Sequence, residues 1–476
     1  MGDRKGLLVI LVLGGLSLLS SLAGSSTSLA IPKIALSLDV SSSSATWVLQ
    51  IGLITTTIFL VAFGHFGDIL SKNCIFLAGG LIFTIGSAIT GIAPTLTIML
   101  IGRVVQSVGS AMIMANSMGI VSDYFADSKR AEALSYISMF ISVGSISGPS
   151  LGGFIMSVAS WRWIYLINVP LMLLIIGFGM KVLPVPKERA SQVLAAAKGV
   201  NWVGQTIFSI GVILFFLSGL IFQDHSKTLL AFLILAVGAV LIGYSFVQDD
   251  RAKTPWISPQ ILHNRRYLIS ISALLLVMLV NSVSNVLLPF YLQSYGGLSP
   301  LNSGLIIMIQ PIVMLIFSPI SGYLADHFDR QLMTTFGLVV LAISQIGYIM
   351  YPGNLDLVRI ILPIILNGFG MAFFLSPNNA LTMGLVPKEL SGIAGSLNSF
   401  ARTIGTTIGV SFSSTLLFFF LPGVTHITPQ VGPAFMHAFS IVFMGAFVVS
   451  VIAALIVANR YISSLKTSQK PVEKAD

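Results

Sequence analysis

The feature that most constrains this chain is a succession of apolar runs, each about 20 residues or longer, cut by short clusters of glycine, proline and polar or charged residues. A helical run of that length matches the hydrocarbon thickness of a bilayer. A backbone without water around it must close its hydrogen bonds within each segment. Fourteen such segments are expected, over 7–31, 47–66, 75–93, 96–120, 133–158, 163–183, 203–222, 228–247, 267–291, 303–323, 333–351, 358–380, 393–421 and 434–459. Hydrophobic residues make up 55% of the chain and charged residues 9%, against about 25% charged in a soluble domain. No soluble core would hide that much apolar surface. The first segment follows Arg4 and Lys5 as a signal peptide would, but it is long for one and continues through Leu29–Ile34, which reads as a first spanning helix.

The net charge of +9 would suit a nucleic-acid partner, but the basic residues lie in short loops between apolar runs. That is the pattern of membrane orientation, and no nucleic-acid partner is expected. With the N-terminus inside and strict alternation, 19 of the 25 Lys and Arg residues fall on the cytoplasmic side. Lys33 and Lys227 fall outside, and Arg103, Arg162, Arg359 and Arg402 lie within helices or at their ends. One helix more or fewer would scramble this bias, so it predicts an even number of spans with both termini cytoplasmic. The single cysteine, Cys74, excludes an intrachain disulfide and a cysteine-rich metal site.

The chain also repeats itself. Gly64-His-Phe-Gly-Asp68 ends the second segment, and Gly322-Tyr-Leu-Ala-Asp326 ends the tenth, at an offset of 258. Gln106 and Gly109 are echoed by Asn367 and Gly370, and Gly144 and Gly148 by Gly405 and Gly409, at an offset of 261. The expected organisation is a six-helix half over 1–183, a cytoplasmic connection over 184–201 and two inserted helices over 202–248, then a second connection over 249–266, a second six-helix half over 267–460 and a cytoplasmic tail over 461–476. Two parallel halves around a central site are a transporter architecture.

Three motifs carry the chemistry. In Gly64-His-Phe-Gly-Asp68-Ile-Leu-Ser-Lys72, Gly64 is expected to allow close helix approach. Asp68, at a cytoplasmic helix end, is positioned to latch one conformation through a charge contact, with Asp326 as its copy. The alternative for a lone loop carboxylate is simple solvation. The fourth segment carries Arg103 with Gln106 one turn on. A charge inside an apolar span is costly and points to function, the alternative being that it snorkels to the interface. In the fifth segment Gly144, Gly148 and Gly152 share one helix face, with Pro149 and Gly153 beside them. Small residues on one face let helices pack closely, and the proline bends the helix.

In these motifs the chain resembles the major facilitator superfamily, in particular its fourteen-helix drug:proton antiporter branch. Gly64–Lys72 resembles the family's loop string GxLaDrxGrk, and Arg103-x-x-Gln106-x-x-Gly109 its helix-4 string RxxqGxg. Gly144–Gly153 is similar throughout to the helix-5 antiporter string gxxxGPxxGG, and Trp161–Pro170 resembles WRWiFxiNvP. The resemblance implies an all-α integral membrane fold of the major-facilitator type, with two six-helix halves and two inserted helices, in a cell membrane. It also implies proton-linked export of small hydrophobic or amphipathic compounds by alternating access. The departures are Ile69 and Ser71 in the loop string, His327 and Asp329 in its copy, Ser107 in helix 4, and Ala23 where many relatives carry a helix-1 Asp.

Ala23 directs attention to the carboxylates. All 16 acidic residues fall in loops or near helix ends, whereas the ionisable residues expected within spans are Arg103 and Arg402. Arginine does not titrate usefully. If protons are coupled, the candidates are Asp68, Asp123 and Asp326, with His65 and His437 as secondary ones. Arg402 either orients an anionic or polar substrate or bonds the carbonyls of a broken neighbouring helix. Further candidates for the substrate path are Gln50, Asn116, Asn281, Asn285, Gln310, Asn378, Asn379 and Asn398, with Phe373, Phe374 and Phe400 as apolar walls. Pro311, Pro319, Pro363 and Pro377 suggest bent helices.

Two transport readings follow: a multidrug or antibiotic exporter, and an exporter or facilitator of an endogenous neutral or anionic metabolite, lipid or nucleotide. The scarcity of membrane carboxylates turns both away from lipophilic dications. An enzyme is not expected, since no HExxH, GxSxG or Walker A string and no paired membrane carboxylates occur. The expected partners are a small-molecule substrate, protons and the lipid bilayer, with the protein acting as a monomer and holding neither cofactor nor metal.

Overall fold

A computed structural model describes residues 3–125, 127–184, 201–222, 225–252, 264–386 and 391–468. The side chains of His65, Asp68 and Asp326 lie outside what is described, as do most of the two expected cytoplasmic connections and the end of the tail. Among the described residues fourteen long helices follow one another: α1 Asp3–Ser37, α2 Ser42–Ile69, α3 Lys72–Ile92, α4 Leu96–Tyr124, α5 Asp127–Val158, α6 Trp163–Val182, α7 Trp202–Ile221, α8 Thr228–Asp250, α9 Arg265–Tyr295, α10 Pro300–His327, α11 Arg330–Ile349, α12 Leu357–Gly384, α13 Ser391–Phe419 and α14 Pro433–Ser468. Helix α6 is interrupted at Ile167, and α9 closes on a π-helical turn over Phe290–Tyr295.

Thirteen of these are long and apolar enough to cross a membrane. The exception is α13, where ten Ser and Thr residues and Arg402 dilute the apolar run. Several helices outrun their apolar cores: α5 begins at Asp127 rather than 133, and α14 runs on to Ser468 rather than 459. Charged residues past a membrane edge still favour helix, because the backbone bonds of the buried turns continue into them. Starts are set by side-chain caps. Ser41, Ser71, Thr95, Asn201, Asp329 and Asp356 each accept a bond from a backbone N–H of the first turn that follows.

By contacts the chain divides into two compact units. One contains residues 1–258, 282–308 and 406–439, and the other 259–281, 309–405 and 440–476. In the first, α3 crosses α4 at two glycines: a Cβ on Gly109 would lie 2.5 Å from the Gly79 carbonyl oxygen. The inserted pair α7–α8 crosses the same way, a Cβ on Gly238 lying 2.9 Å from the Gly211 carbonyl. In the second unit α11 crosses α12 with a Cβ on Gly370 only 2.8 Å from the Gly337 carbonyl. Gly337 and Gly370 stand 258 and 261 positions after Gly79 and Gly109, the offsets already found in the motifs. Lipid tails are as apolar as leucine, so backbone proximity rather than a hydrophobic drive holds such pairs together.

Candidate functional site

Arg103 is built into the first unit as a buried, hydrogen-bonded post. It is 6% exposed. Its Nε donates to the Val48 carbonyl of α2 at 2.9 Å, and Nη1 donates to Gln106 Oε1 at 2.5 Å. Gln106 Nε2 passes the network to Ser87 Oγ of α3 at 2.8 Å. Space for the guanidinium comes from Gly52, where a Cβ would stand 2.7 Å from Nη2. Its Cζ lies 5.8 Å from the Tyr165 ring centroid, a cation–π distance. The Tyr165 hydroxyl donates to Thr27 Oγ1, which donates to the carbonyl of Ala23 in α1. Arg103 therefore does not snorkel: its donors tie α4 to α2, and α3 and α6 close around it. The Arg103–Gln106 pair was legible from i, i+3 spacing. Gly52, Ser87 and Tyr165 were missed, although a polar residue inside an apolar run, as Ser87 is, was available as a signal.

Helix α5 lies along α1. A Cβ on Gly144 would stand 2.4 Å from the Leu18 carbonyl, one on Gly148 1.8 Å from Ser25 Oγ and one on Gly152 3.1 Å from Ser26 Cβ. Three α1 serines bond into this seam: Ser21 Oγ donates to the Ile141 carbonyl at 3.0 Å, Ser25 Oγ to the Gly144 carbonyl at 3.3 Å and Ser26 Oγ to the Gly148 carbonyl at 2.8 Å. In the second unit Gly405 repeats the first contact, a Cβ there lying 2.3 Å from the Leu275 carbonyl of α9.

The same α5 motif also reaches the first turns of α10. A Cβ on Gly153 would meet the Pro300 carbonyl at 2.6 Å, and one on Gly304 the Pro149 carbonyl at 2.4 Å. Around this point Gln293 Nε2 donates to the Leu29 carbonyl at 3.0 Å, and Ser42 N to the Thr425 carbonyl at 2.8 Å. The hydroxyls of Thr46 and Ser414 pair at 2.8 Å, and those of Thr57 and Thr407 at 3.1 Å. Gln50, 3% exposed, donates to Thr46 Oγ1. All of these belong to the first unit. The Gln293–Leu29, Ser42–Thr425 and Thr46–Ser414 contacts lie towards the ends of their helices, whereas Thr57 and Thr407 pair near the middles of α2 and α13.

In the loop motif the close approach falls at Gly67, not at Gly64 as expected. A Cβ on Gly64 would have nothing nearer than Ala115 Cβ at 3.9 Å, whereas one on Gly67 would overlap Asn116 Oδ1 at 1.7 Å. Asn116 is 1% exposed and donates to the Phe63 and Met112 carbonyls, so it pins α4 to α2. Asp123 is exposed and ion-paired with Lys72 at 3.0 Å. The expected Asp68 and Asp326 latches, and the His65 alternative, concern side chains outside those described. His437 lies exposed in the first turns of α14.

In the second unit, Gln310 donates to Asn281 Oδ1 and, at 2.8 Å, to Asn367 Oδ1. The half-buried amide of Asn281 in α9 and the buried amides of Gln310 in α10 and Asn367 in α12 thus meet at the position that echoes Gln106. Asn285, one turn beyond Asn281, is half-buried and has no hydrogen-bond partner among the described residues. Asn378 donates to the Ser270 carbonyl, and Asn398 to Asn379 Oδ1. Phe373 stacks on Phe369 at 4.4 Å and meets Phe336 at 5.5 Å. Phe336 is 44% exposed, so this aromatic group reaches the outer surface of its helices. Phe374 and Phe400 are buried. Arg402 of α13 is half-buried and makes no hydrogen bond or ion pair with any described residue.

Comparison with known proteins supplies the frame. The family model described as Major Facilitator Superfamily matches residues 13–410. The riboflavin transporter RibZ of Clostridioides difficile is 27% identical over 431 residues, which is 89% of this chain and 90% of that protein. The multidrug export protein EmrB of Escherichia coli K12 is 28% identical over 395 residues, 81% of this chain and 75% of that one. Among solved structures, a bacterial homologue of the human lysosomal transporter Spinster, inward-facing and unoccupied, superposes with a TM-score of 0.67 at 15% identity, covering 96% of this chain and 97% of that one.

Proposed function

The chain belongs to the major facilitator superfamily and is a multi-pass membrane transporter rather than an enzyme, and on that premise we propose that it is a proton-linked exporter of small amphipathic compounds working by alternating access between a first half over 1–183 and a second over 267–460. The observation that carries this reading is the double contact of the α5 motif. One face is welded to α1 through Gly144 and the Leu18 carbonyl, and the end of the motif abuts α10 through Gly304 and the Pro149 carbonyl. A helix fixed to its own half, and in backbone contact with the other at the end of its motif, can separate there without repacking its own side. EmrB is a multidrug exporter by name, which supports the outward direction. Asp68, Asp123 and Asp326 stand at cytoplasmic ends, where a proton would be exchanged, and Arg103 with Gln106 would hold α2, α3 and α4 together through the cycle.

A second reading, export of an endogenous metabolite, is favoured by the unpaired Arg402 and by the similarity to RibZ, a riboflavin transporter by name. With no acidic residue deep in the spans, a neutral or anionic compound suits the chain better than a dication. The test is uptake of fluorescent neutral, anionic and cationic compounds into inside-out vesicles, with and without an imposed pH gradient. Gradient-driven accumulation supports proton-linked export. Uptake that ignores the gradient rejects it and leaves a facilitator.

A further inference from the structure

Arg103 and Arg402 are both arginines within spans, and the structure treats them oppositely. Arg103 spends its guanidinium on the Val48 carbonyl, on Gln106 and on the Tyr165 ring. Arg402 spends nothing on the described residues. No described side chain or carbonyl takes any of its five N–H donors. It is the twelfth residue of the 29 in α13, about 16 Å along the axis at the usual helical rise, and so close to half the depth of a bilayer core. Snorkelling cannot bring it to an interface from there.

Its surroundings are held in place. One turn on, Gly405 fixes α13 against α9 through the Leu275 carbonyl. One turn back, Asn398 is held by its bond to Asn379 Oδ1, and its own side-chain oxygen is buried without a partner. Among the described residues, the local segment thus combines a permanent cation lacking a counter-charge with an acceptor lacking a donor. A planar guanidinium with free donors matches a carboxylate, phosphate or sulfonate bidentately. Leaving such a charge uncompensated at this depth is costly, and the cost is recovered only when an anion arrives.

We propose that Arg402 is the anion-recognition residue of the transport cycle, and that the transported compound is an organic anion whose acidic group pairs with this guanidinium. This rests on the transport reading and assigns the substrate class within it. It removes the alternative in which Arg402 bonds the carbonyls of a broken neighbouring helix, since no such bond forms among the described residues. It also gives the missing helix-1 carboxylate a rationale: a carrier of anions has no use for a buried acid at Ala23.

The experiment uses the purified full chain in nanodiscs at fixed salt. The probes are 2-naphthoate, 2-naphthyl phosphate and naphthalene-2-sulfonate against the neutral 2-naphthamide, with affinity read from ligand-induced thermal stabilisation. In the wild type at least one anion should bind roughly tenfold or more tightly than the amide, the scale of one charge-assisted hydrogen bond. Arg402→Gln should erase that preference while amide binding stays, and Arg402→Lys should keep part of it. No anion preference in the wild type, or a preference that survives Arg402→Gln, overturns the proposal. A preference that needs Arg402 but comes with no gradient-driven vesicle uptake upholds the anion site and removes the proton-linked reading.

Discussion

Gly304→Ala tests the outer closure with a single methyl group. The added Cβ would stand 2.4 Å from the Pro149 carbonyl oxygen, a backbone atom that no rotamer change can move. Real Cβ atoms keep outside about 3 Å, so α5 and α10 must part by roughly half an ångström or more. Overpacking of this kind costs about 1–3 kcal/mol. The strain exists only in the state where α10 abuts α5, so it enters as a differential energy between conformations. A differential of that size shifts a two-state equilibrium about 5–150-fold towards the outwardly open form. Cys74 is the only native cysteine, so Cys74→Ser provides a clean background for a reporter cysteine at Ser414. That hydroxyl is buried against Thr46 in the closed arrangement. Labelling by a membrane-impermeant maleimide from outside should accelerate by that factor on adding Gly304→Ala. Gly405→Ala is the control. It meets a carbonyl just as closely, at 2.3 Å, but lies within the second unit and should not open the outer end. An unchanged labelling rate for Gly304→Ala, or an equal rise for Gly405→Ala, would refute the assignment of this contact as the outer gate.

Two further outcomes are expected. Arg103→Lys keeps the charge but loses the fork that reaches Val48 and Gln106 together, so transport should fall at least tenfold in vesicles of matched protein content, close to the loss in Arg103→Ala; near-normal uptake in the lysine variant would reduce Arg103 to a point charge. In α5, Gly144→Ala meets the backbone Leu18 carbonyl at 2.4 Å and should destabilise by about 1–3 kcal/mol, whereas for Gly148→Ala the Ser25 hydroxyl can rotate away and the fixed atoms, Ser25 Cβ at 2.8 Å and the Leu22 carbonyl at 3.1 Å, stand further off, so it should be milder; thermal unfolding in detergent that ranks them the other way would contradict the α1–α5 seam.

The membrane class, the helix order and the repeat were legible because they depend on periodic, chain-local quantities: run length, loop charge and glycine offset. Gly109 and Gly370 stood out through the repeat, but Gly79 and Gly337 did not, because their role shows only against a glycine of the next helix, 30 and 33 residues on. Arg103 was identifiable as buried, but its chief acceptor is the Val48 carbonyl, and every residue carries a carbonyl. Gly64 and Gly67 show the limit of motif reading: both belong to one string, and only the packing of Asn116 decides which of them has to lack a Cβ. The π-helical turn at Phe290–Tyr295 had no signal in hydropathy at all.

The recurring glycine crossing has a consequence for how such a chain is made. Gly79 with Gly109, Gly211 with Gly238 and Gly337 with Gly370 each join two helices that are neighbours in sequence. Each pair can therefore close as soon as its second helix leaves the ribosome, with little loop entropy to overcome. The chain can be assembled in the bilayer from prefabricated hairpins, synthesised one after another. A hairpin that is complete in itself is also a unit that a genome can insert between two halves without disturbing either, which is the position α7 and α8 occupy.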